Sequence, residues 1–240
     1  MAKDLAVILN NGGINSAVAT ALAAQKYRPI LVYAETNPSG APRARSAYDL
    51  QVAHFKPFRE HTLAMPFVGT VEPARPGGGA GGGAVAAAPS HANSAAAAAA
   101  TDPRHHAPLG PQMVMLLPLV AAAVRIAAHY QAAALYVGLR TGPRGDELAQ
   151  ATEYVQVWNE LVQMPCDQPE LELQAPLLEL EPWQVVDLGF QVGAPFERTW
   201  SCVGDNADPC WACRRCRARE AAFQQAAKPD PARQRMARNA

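Results

Sequence analysis

The chain has 240 residues and a formal net charge of +0, with 21 Lys and Arg residues against 21 Asp and Glu residues. This balance excludes a broadly polybasic surface for nucleic acid and a strongly acidic tail. The length suffices for one large domain or two small ones, with a core that needs no disulfide bonds.

No segment is predicted to span a membrane. The longest apolar run, residues 113–124, contains Pro118 and ends before Arg125, so it is shorter than the roughly 20 residues that a bilayer requires. The N-terminus lacks the pattern of a signal peptide. Four of the five cysteines lie between residues 202 and 216, whereas a secreted disulfide framework would spread them along the chain. We therefore expect a cytoplasmic protein.

Short apolar runs alternate with helical patterns along the chain. The first run, residues 5–9, predicts a buried strand that ends in the turn Asn10-Asn11-Gly12-Gly13. The further predicted strands are 30–34, 61–65, 135–139 and 171–174, and the predicted helices are 16–25, 44–55, 113–129, 147–164 and 181–190. This alternation predicts an α/β fold, a parallel twisted sheet with helices on both faces.

Residues 76–103 differ in composition from the rest of the chain, because they consist largely of glycine and alanine runs. Such a segment buries too little apolar surface to offset its ordering entropy, so we expect a flexible insertion; a short frayed helix in its alanine run is the alternative. We predict an α/β domain over residues 1–195 that contains this insertion, followed by a small helical lobe over residues 196–240.

The glycine turn, residues 10–16, is the first candidate site. Its sequence is Asn10-Asn11-Gly12-Gly13-Ile14-Asn15-Ser16, and it joins the first predicted strand to the first predicted helix. Glycines allow a ligand to approach the backbone, and the free N–H groups of a helix N-terminus favour phosphate. The turn carries neither the dinucleotide pattern nor the lysine of the mononucleotide loop. A tight turn capped by asparagine explains it equally well.

The cysteine cluster is the second candidate site and consists of Cys202, Cys210, Cys213 and Cys216. Four thiolates with two short spacings suit a tetrahedral, structural zinc site, and the nearby residues Arg214, Arg215, Arg217 and Arg219 would help to keep the thiolates ionised. An iron–sulfur cluster uses the same ligands and remains an alternative. A disulfide pair is less consistent with a cytoplasmic chain.

Together, the two motifs resemble those of the 7-cyano-7-deazaguanine synthase family, a branch of the PP-loop ATP pyrophosphatases. The family's S-G-G-x-D-S turn is matched by residues 11–16, and its C-terminal four-cysteine zinc site is kept in full. Residues 175–178 resemble the family's T-P-L segment, residues 199–202 resemble T-x-[ST]-C, residues 136–138 resemble the strand before the substrate loop, and residues 153–154 resemble the acidic–aromatic pair beyond it.

The resemblance implies an adenine-nucleotide alpha-hydrolase-like fold and a reaction. Members of the family convert 7-carboxy-7-deazaguanine and ammonia into the nitrile in queuosine biosynthesis, with two ATP. The implied partners are therefore ATP, Mg²⁺ and a 7-deazapurine, with structural Zn²⁺ as the resident metal and residues 10–16 at the phosphates. The resemblance is also compatible with a homodimer. It identifies no catalytic residue in this chain, and nucleic acid is not an expected partner.

The chain departs from the family at its ligand-binding positions. Asn11 replaces the family serine, and Asn15 replaces an aspartate that would supply a carboxylate to Mg²⁺. The family's D-Y-G-Q-x-H is represented only by Glu35, its P-G-R-N is absent from residues 109–112, and its Y-P-D-C-R is not recognisable within residues 142–152. The sequence thus allows a divergent nitrile synthase, a catalytically degenerate paralogue that binds a nucleotide or a partner, or a tRNA-modifying or sulfur-transfer enzyme of the same group.

Overall fold

The structure is a computed structural model, and it describes residues 4–36, 41–70, 109–143, 145–166, 171–204 and 206–234. The predicted insertion at residues 76–103 lies outside these ranges. The predicted lobe is described from residue 196 to residue 234, apart from residue 205.

Strands and helices alternate in the first part of the chain, as the apolar pattern predicts. Strand β2 is longer than the predicted 30–34, because Leu5 of the neighbouring strand already pairs with Arg28. The elements in order are β1 (Leu5–Leu9), α1 (Ile14–Lys26), β2 (Arg28–Glu35), α2 (Pro42–Phe55), β3 (Arg59–Ala64) and the single turn α3 (Phe67–Thr70).

The alternation continues in the second part, and the chain ends in a helical lobe. The predicted strand 135–139 is shorter in the structure: the N–H of Val137 donates to the carbonyl of Gln174, and Gly138 then lies against the first turn of α1. The elements are α4 (Leu109–Tyr130), β4 (Ala134–Tyr136), α5 (Gly145–Cys166), β5 (Glu172–Gln174), α6 (Pro182–Gln191), a 3-10 turn (Phe196–Arg198) and α7 (Arg214–Gln225).

The five strands of the described residues form one parallel sheet in the order β3-β2-β1-β4-β5. The chain therefore builds outward from β1 to one edge and then crosses to the other side of β1. In open parallel sheets, ligands bind at the carboxyl edge where the strand order reverses in this way. Here that point lies between the ends of β1 and β4.

Helices cover both faces of the sheet, so the predicted fold class is confirmed. On one face, Val7, Val32 and Leu135 pack with residues of α4 and α5 such as Val120 and Trp158. On the other face, Ile8 and Leu31 pack with α1 and α2. A third cluster joins α1 and α6 to the C-terminal lobe through Val18, Val186, Phe196 and Phe223.

Helix α4 is the one element among the described residues with the length and composition of a membrane span, over Met113–Tyr130. This window extends past Arg125, where the sequence analysis ended the apolar run. Core helices of soluble proteins have the same length and composition. Val120, Ala123 and Ala127 of this helix are buried in the core, whereas Val114 and Leu117 are exposed.

Candidate nucleotide turn and metal centre

The glycine turn lies at the reversal point of the sheet, between the end of β1 and the start of α1. Gly12 adopts φ +78°, and a Cβ atom at this position would lie 2.4 Å from the carbonyl oxygen of Ala44 in α2. Glycine is thus required here both for its backbone conformation and for the close approach of α2. The carbonyl oxygen of Gly12 accepts a hydrogen bond from the backbone N–H of Trp200 at 2.9 Å.

Asn10 is the buried centre of the turn, with 2% of its surface exposed. Its side-chain amide donates to Thr20 Oγ1 at 3.1 Å and to Gln51 Oε1 at 2.8 Å. Its Oδ1 accepts from the backbone N–H of Gly12 at 2.8 Å and lies 3.2 Å from the Ser16 hydroxyl. Asn10 therefore ties the turn to both α1 and α2, a structural role for a residue that the sequence analysis placed at the ligand.

Asn11 is exposed, and its Oδ1 accepts from the backbone N–H of Gly13 at 3.0 Å. The Ser16 hydroxyl is 3.0 Å from the same oxygen and 3.1 Å from the carbonyl oxygen of Gly13. The donors of Gly12, Gly13 and Ser16, which the sequence analysis assigned to phosphate, are thus all bonded to acceptors of the turn itself.

Asn15 and Ile14 form the first turn of α1. The side-chain amide of Asn15 donates to the carbonyl oxygen of Gly138 at 3.3 Å and so joins α1 to the end of β4. Ile14 is half-buried and packs against the cluster shared by α1, α6 and the C-terminal lobe. The structure brings all seven predicted residues of the turn together, and it gives Asn15 a contact that an aspartate could not make.

Glu35 is the acidic residue that the sequence keeps from the family motif after the second strand. It lies at the end of β2, and its carboxylate is 3.5 Å from the guanidinium of Arg45. Arg45 also donates to Asp49 and Thr62 and lies over the ring of Tyr33. Glu35 is therefore part of an ion-pair network on the β2 side of the carboxyl edge.

The four cysteines of the cluster converge, and their sulfur atoms all lie within 4.8 Å of one another. In a tetrahedral zinc site, with Zn–S bonds of about 2.3 Å, the sulfur atoms are about 3.8 Å apart. Cys202 follows the 3-10 turn, whereas Cys213 caps the N-terminus of α7 and Cys216 lies in its first turn. The donor set and its spacing fit one tetrahedral, thiolate-bound metal ion.

Backbone N–H groups point at the sulfur atoms, which favours the thiolate form. Donors from Ala212 and Cys213 lower the pKa of Cys210 to about 6. Burial opposes ionisation of Cys213, but N–H groups from Val203 and Cys216 outweigh it, so the pKa of Cys213 is lowered. Burial raises the pKa of Cys216. The surroundings therefore favour the thiolate form at Cys210 and Cys213 and the thiol form at Cys216, whose proton a bound metal would displace.

The arginines near the cluster differ in their roles. Arg214, Arg215 and Arg217 are exposed on α7, close to the cysteines in sequence. Arg219 is buried, and its donors bond to Asp230, Thr199 and the carbonyl oxygen of Phe196, so its hydrogen bonds serve the core. Its helical position, one turn after the buried Cys216, turns it towards the core.

The sequence analysis did not identify the buried polar residues that bond to Asn10 and so support the glycine turn. Gln51 of α2 is fully buried; its Oε1 accepts from Asn10 and its Nε2 donates to the carbonyl of Arg198 at 3.2 Å. Thr20 of α1 is the other buried partner of Asn10. The sequence showed only that Gln51 and Thr20 are polar residues at helical positions that face the core. It did not indicate that Asn10 is the residue to which they bond.

The comparisons with known proteins point to one family. The model of the family described as queuosine biosynthesis protein QueC matches residues 116–227, which include the four cysteines but not the glycine turn. A 7-cyano-7-deazaguanine synthase from Methanoculleus marisnigri is 27% identical over 114 residues, 47% of this chain and 51% of that protein. One from Koribacter versatilis is 31% identical over 113 residues, 47% of this chain and 48% of that protein.

Shorter matches have higher identity. A 7-cyano-7-deazaguanine synthase from Trichodesmium erythraeum is 38% identical over 61 residues, 25% of this chain and 28% of that protein. The chain thus spans about half or less of the length of these curated relatives.

Two solved structures are similar at low identity. A U34-tRNA thiolase, NcsA, from Methanococcus maripaludis has a TM-score of 0.44 at 10% identity and covers 93% of this chain and 66% of that chain. A phosphoadenylyl-sulfate reductase from Candida auris has a TM-score of 0.36 at 12% identity, with 79% and 73% covered. Scores of this size support no argument about function.

The matches to QueC and to named synthases agree with the resemblance carried by the two motifs. The match to the QueC model lies over residues 116–227, where the cysteine cluster is kept in full. The resemblance predicted from the sequence is therefore confirmed: over residues 116–227 the chain is similar to the 7-cyano-7-deazaguanine synthase family.

Proposed function

We propose that the chain is a divergent 7-cyano-7-deazaguanine synthase-like enzyme, which converts 7-carboxy-7-deazaguanine and ammonia into the nitrile with ATP. The observation that carries this proposal is the convergence of Cys202, Cys210, Cys213 and Cys216 within the segment that matches the family. Their spacing and geometry fit the family's four-cysteine site. The parallel sheet with a glycine turn at its reversal point supplies the second support.

Zinc is the metal that we propose for the four cysteines. A closed set of four thiolates leaves no open position for substrate, so the ion would be structural. It would join Cys202, at the end of the segment that contacts the glycine turn, to Cys213 and Cys216 at the start of α7. The ion would fix the lobe against α1 and α6 and would take no part in the reaction.

The proposed reaction uses two adenylations. A carboxylate oxygen of the substrate attacks the α-phosphate of ATP and displaces pyrophosphate. Ammonia then attacks the activated carbonyl, AMP leaves with the oxygen, and an amide remains. The amide oxygen is adenylated by a second ATP, and loss of AMP and protons gives the nitrile.

The contribution of the glycine turn would be to position phosphate and to stabilise its charge. Two donors of the turn, the backbone N–H of Gly13 and the hydroxyl of the buried Ser16, now bond to Asn11 Oδ1. Phosphate oxygens would have to replace Asn11 Oδ1 at both donors. Because Asn11 is exposed, its side chain is free to rotate away, whereas the buried Asn10 would stay in place.

A degenerate paralogue without turnover is the second candidate, and one observation favours it. The side chain of Asn15 donates to the carbonyl oxygen of Gly138, at the position where the family has an aspartate. This residue braces two elements and offers no carboxylate to Mg²⁺. In this candidate the fold and the cysteine cluster serve a nucleotide-binding or partner-binding role.

Pyrophosphate release separates the two candidates. The zinc-loaded full chain would be incubated with ATP, Mg²⁺, ammonia and 7-carboxy-7-deazaguanine, with pyrophosphate measured continuously and the nitrile identified by mass spectrometry. The enzyme proposal expects release that depends on the deazapurine and a product lighter than the amide by one water. ATP binding without release would support the second candidate, and absence of both would exclude the enzyme.

A double variant tests whether the turn alone limits activity. Asn11→Ser together with Asn15→Asp restores the family residues at the two positions, and a variant with only Asn11→Ser is the matched control. If turnover appears only in the double variant, the wild-type chain is a degenerate paralogue with an altered turn. Continued absence of turnover in a folded double variant would place the defect at the other altered positions, such as residues 109–112.

We also propose a cytoplasmic location, ATP and a 7-deazapurine as small-molecule partners, and a division into residues 1–195 and 196–240. Support for the location and partners comes from the family match. The division places the cysteine lobe after the last helix of the α/β domain, although Phe196 and Phe223 of the lobe share a core with Val18 and Val186. The lobe would therefore not fold on its own.

A further inference from the structure

One short segment, residues 196–202, joins the cysteine cluster to the glycine turn; we refer to it as the connecting segment. It begins with the 3-10 turn and ends at the first cysteine of the cluster. The backbone N–H of Trp200 donates to the carbonyl oxygen of Gly12 at 2.9 Å. The carbonyl oxygen of Arg198 accepts from Gln51 Nε2 at 3.2 Å, and Gln51 in turn accepts from Asn10. The segment thus contacts the turn directly and through one side chain.

Arg219 holds the same segment from the opposite side. Its Nη1 donates to Thr199 Oγ1 at 2.8 Å and to the Thr199 carbonyl oxygen at 3.3 Å, and its Nη2 donates to the Phe196 carbonyl oxygen at 3.1 Å. The remaining donors form a two-point contact with the Asp230 carboxylate, at 2.6 and 2.9 Å. All five N–H groups of the guanidinium therefore have acceptors.

The burial of Arg219 and Asp230 means that lysine could not replace Arg219 without loss of hydrogen bonds. The Arg219 and Asp230 side chains are only 3% and 6% exposed. In such a buried site a lysine could keep the charge but could not reproduce the planar fork of donors. Arg219 lies one helical turn after Cys216, so the two residues move together with α7.

We propose that Arg219 is a positioning residue, which fixes the connecting segment so that Trp200 holds the Gly12 carbonyl and the cysteine cluster sets the shape of the glycine turn. Metal bound by the cysteines fixes the start of α7, α7 carries Arg219, and Arg219 places the segment that bonds to Gly12. A change in the shape of the glycine turn would also change how the turn binds phosphate, and that consequence rests on the proposed function. The coupling between the cysteine cluster and the turn does not rest on it.

Amide hydrogen exchange of the zinc-loaded full chain tests the coupling without any need for turnover. The reporters are peptides that contain Gly12 and Trp200, and a peptide over β3 (Arg59–Ala64) reports the remote sheet. In the variant Arg219→Lys we expect exchange at both reporters to rise about tenfold, which corresponds to about 1.4 kcal/mol, with zinc content and β3 exchange unchanged. Arg217→Lys, an exposed position on the same helix, is the control and should match the wild type.

Unchanged exchange at Gly12 and Trp200 in a folded, zinc-containing Arg219→Lys variant would overturn the proposal. Should that variant fail to fold, Thr199→Val replaces it, because it removes the hydroxyl bonded to Arg219 and keeps the shape of the side chain. Faster exchange at Trp200, with β3 unchanged, would support the proposal, and wild-type exchange would refute it.

Zinc supplies a second readout. Exchange is compared with and without Zn²⁺ in the wild type and in Arg219→Lys. The proposal expects zinc to protect Gly12 strongly in the wild type and less in the variant, because the connection between α7 and the segment is weakened. Equal protection in both proteins would contradict it. A wild type that shows this coupling but no pyrophosphate release would refute only the proposed enzyme activity.

Discussion

Asn15 Nδ2 and the Gly138 carbonyl oxygen are 3.3 Å apart, and their hydrogen bond joins the first turn of α1 to the end of β4. The bond lies at the reversal point of the strand order, where a parallel sheet usually opens into a ligand crevice. A Cβ at Gly138 would lie 3.0 Å from the backbone of Asn15 and Ser16. The two elements are therefore in direct contact, and Asn15 secures that contact.

Asn15→Asp is expected to destabilise the chain more than Asn15→Ala. The carboxylate of aspartate cannot donate to the Gly138 carbonyl and would face it as a second acceptor, whereas alanine only removes the bond. We expect a loss of about 1 kcal/mol for alanine and up to about 3 kcal/mol for aspartate at neutral pH. Urea unfolding of the three proteins measures the difference, and equal stability of the two variants would contradict it.

Gly12→Ala is expected to be severe. The substitution places a Cβ atom 2.4 Å from the Ala44 carbonyl and forces a side chain into positive φ, so the cost should exceed 4 kcal/mol or prevent folding. Gly193→Ala is the matched control: it also has positive φ, at +71°, but no atom lies within 4 Å of the added Cβ. Its expected cost is about 1–2 kcal/mol, and denaturant midpoints of both variants decide the comparison.

Asn10→Ala should cost more stability than Asn11→Ala. Asn10 is buried, and its loss leaves Thr20, Gln51 and the Gly12 N–H without their partner, which predicts about 2–4 kcal/mol. Asn11 is exposed, and water can replace its bond to Gly13, which predicts less than about 1 kcal/mol. Chemical unfolding at fixed pH and zinc concentration is the measurement. A larger effect at Asn11 would show that the polar network is not centred on Asn10.

Zinc affinity should fall as the pH is lowered from 8 to 6. The metal binds thiolates, so a thiol that is protonated at the working pH must release its proton. Cys210, with a pKa lowered to about 6, begins to be protonated at the end of this range, whereas Cys216, whose pKa is raised by burial, must release a proton throughout it. Competition with a colorimetric chelator at both pH values measures the affinity, and proton uptake on zinc removal provides the control. A pH-independent affinity would exclude the four-thiolate site.

Apolar runs and turn residues were sufficient to predict the central strands, because a buried parallel strand is a continuous apolar run and the segments between such runs have helical patterns. The cysteine cluster was equally predictable, since all four ligands lie within one short stretch of sequence. The contacts of the turn were not. The bonds from Asn10 to Gln51, from Asn15 to Gly138 and from Trp200 to Gly12 join residues far apart in sequence, so their existence depends on how the elements pack.

The spacing of residues in the sequence also did not predict the roles of polar residues on helices. Arg219 follows three other arginines within six residues, and nothing in the spacing distinguishes it from its exposed neighbours. Arg219 differs from these neighbours because its position on α7 faces the core and because Asp230, beyond the end of α7, supplies a buried carboxylate for it. A charge cluster in a sequence is usually a solvated surface, and here one of its members lies in the core.

Asp230, the partner of Arg219, lies beyond the end of α7, so the stability of a truncated protein depends on whether Asp230 is retained. Removal of the chain from Asp230 onward would leave the buried guanidinium of Arg219 without a counter-ion. Isolating a charge in this way is strongly destabilising. Shortened versions should therefore retain the chain through the helical turn at residues 231–234, although these residues lie beyond the last cysteine.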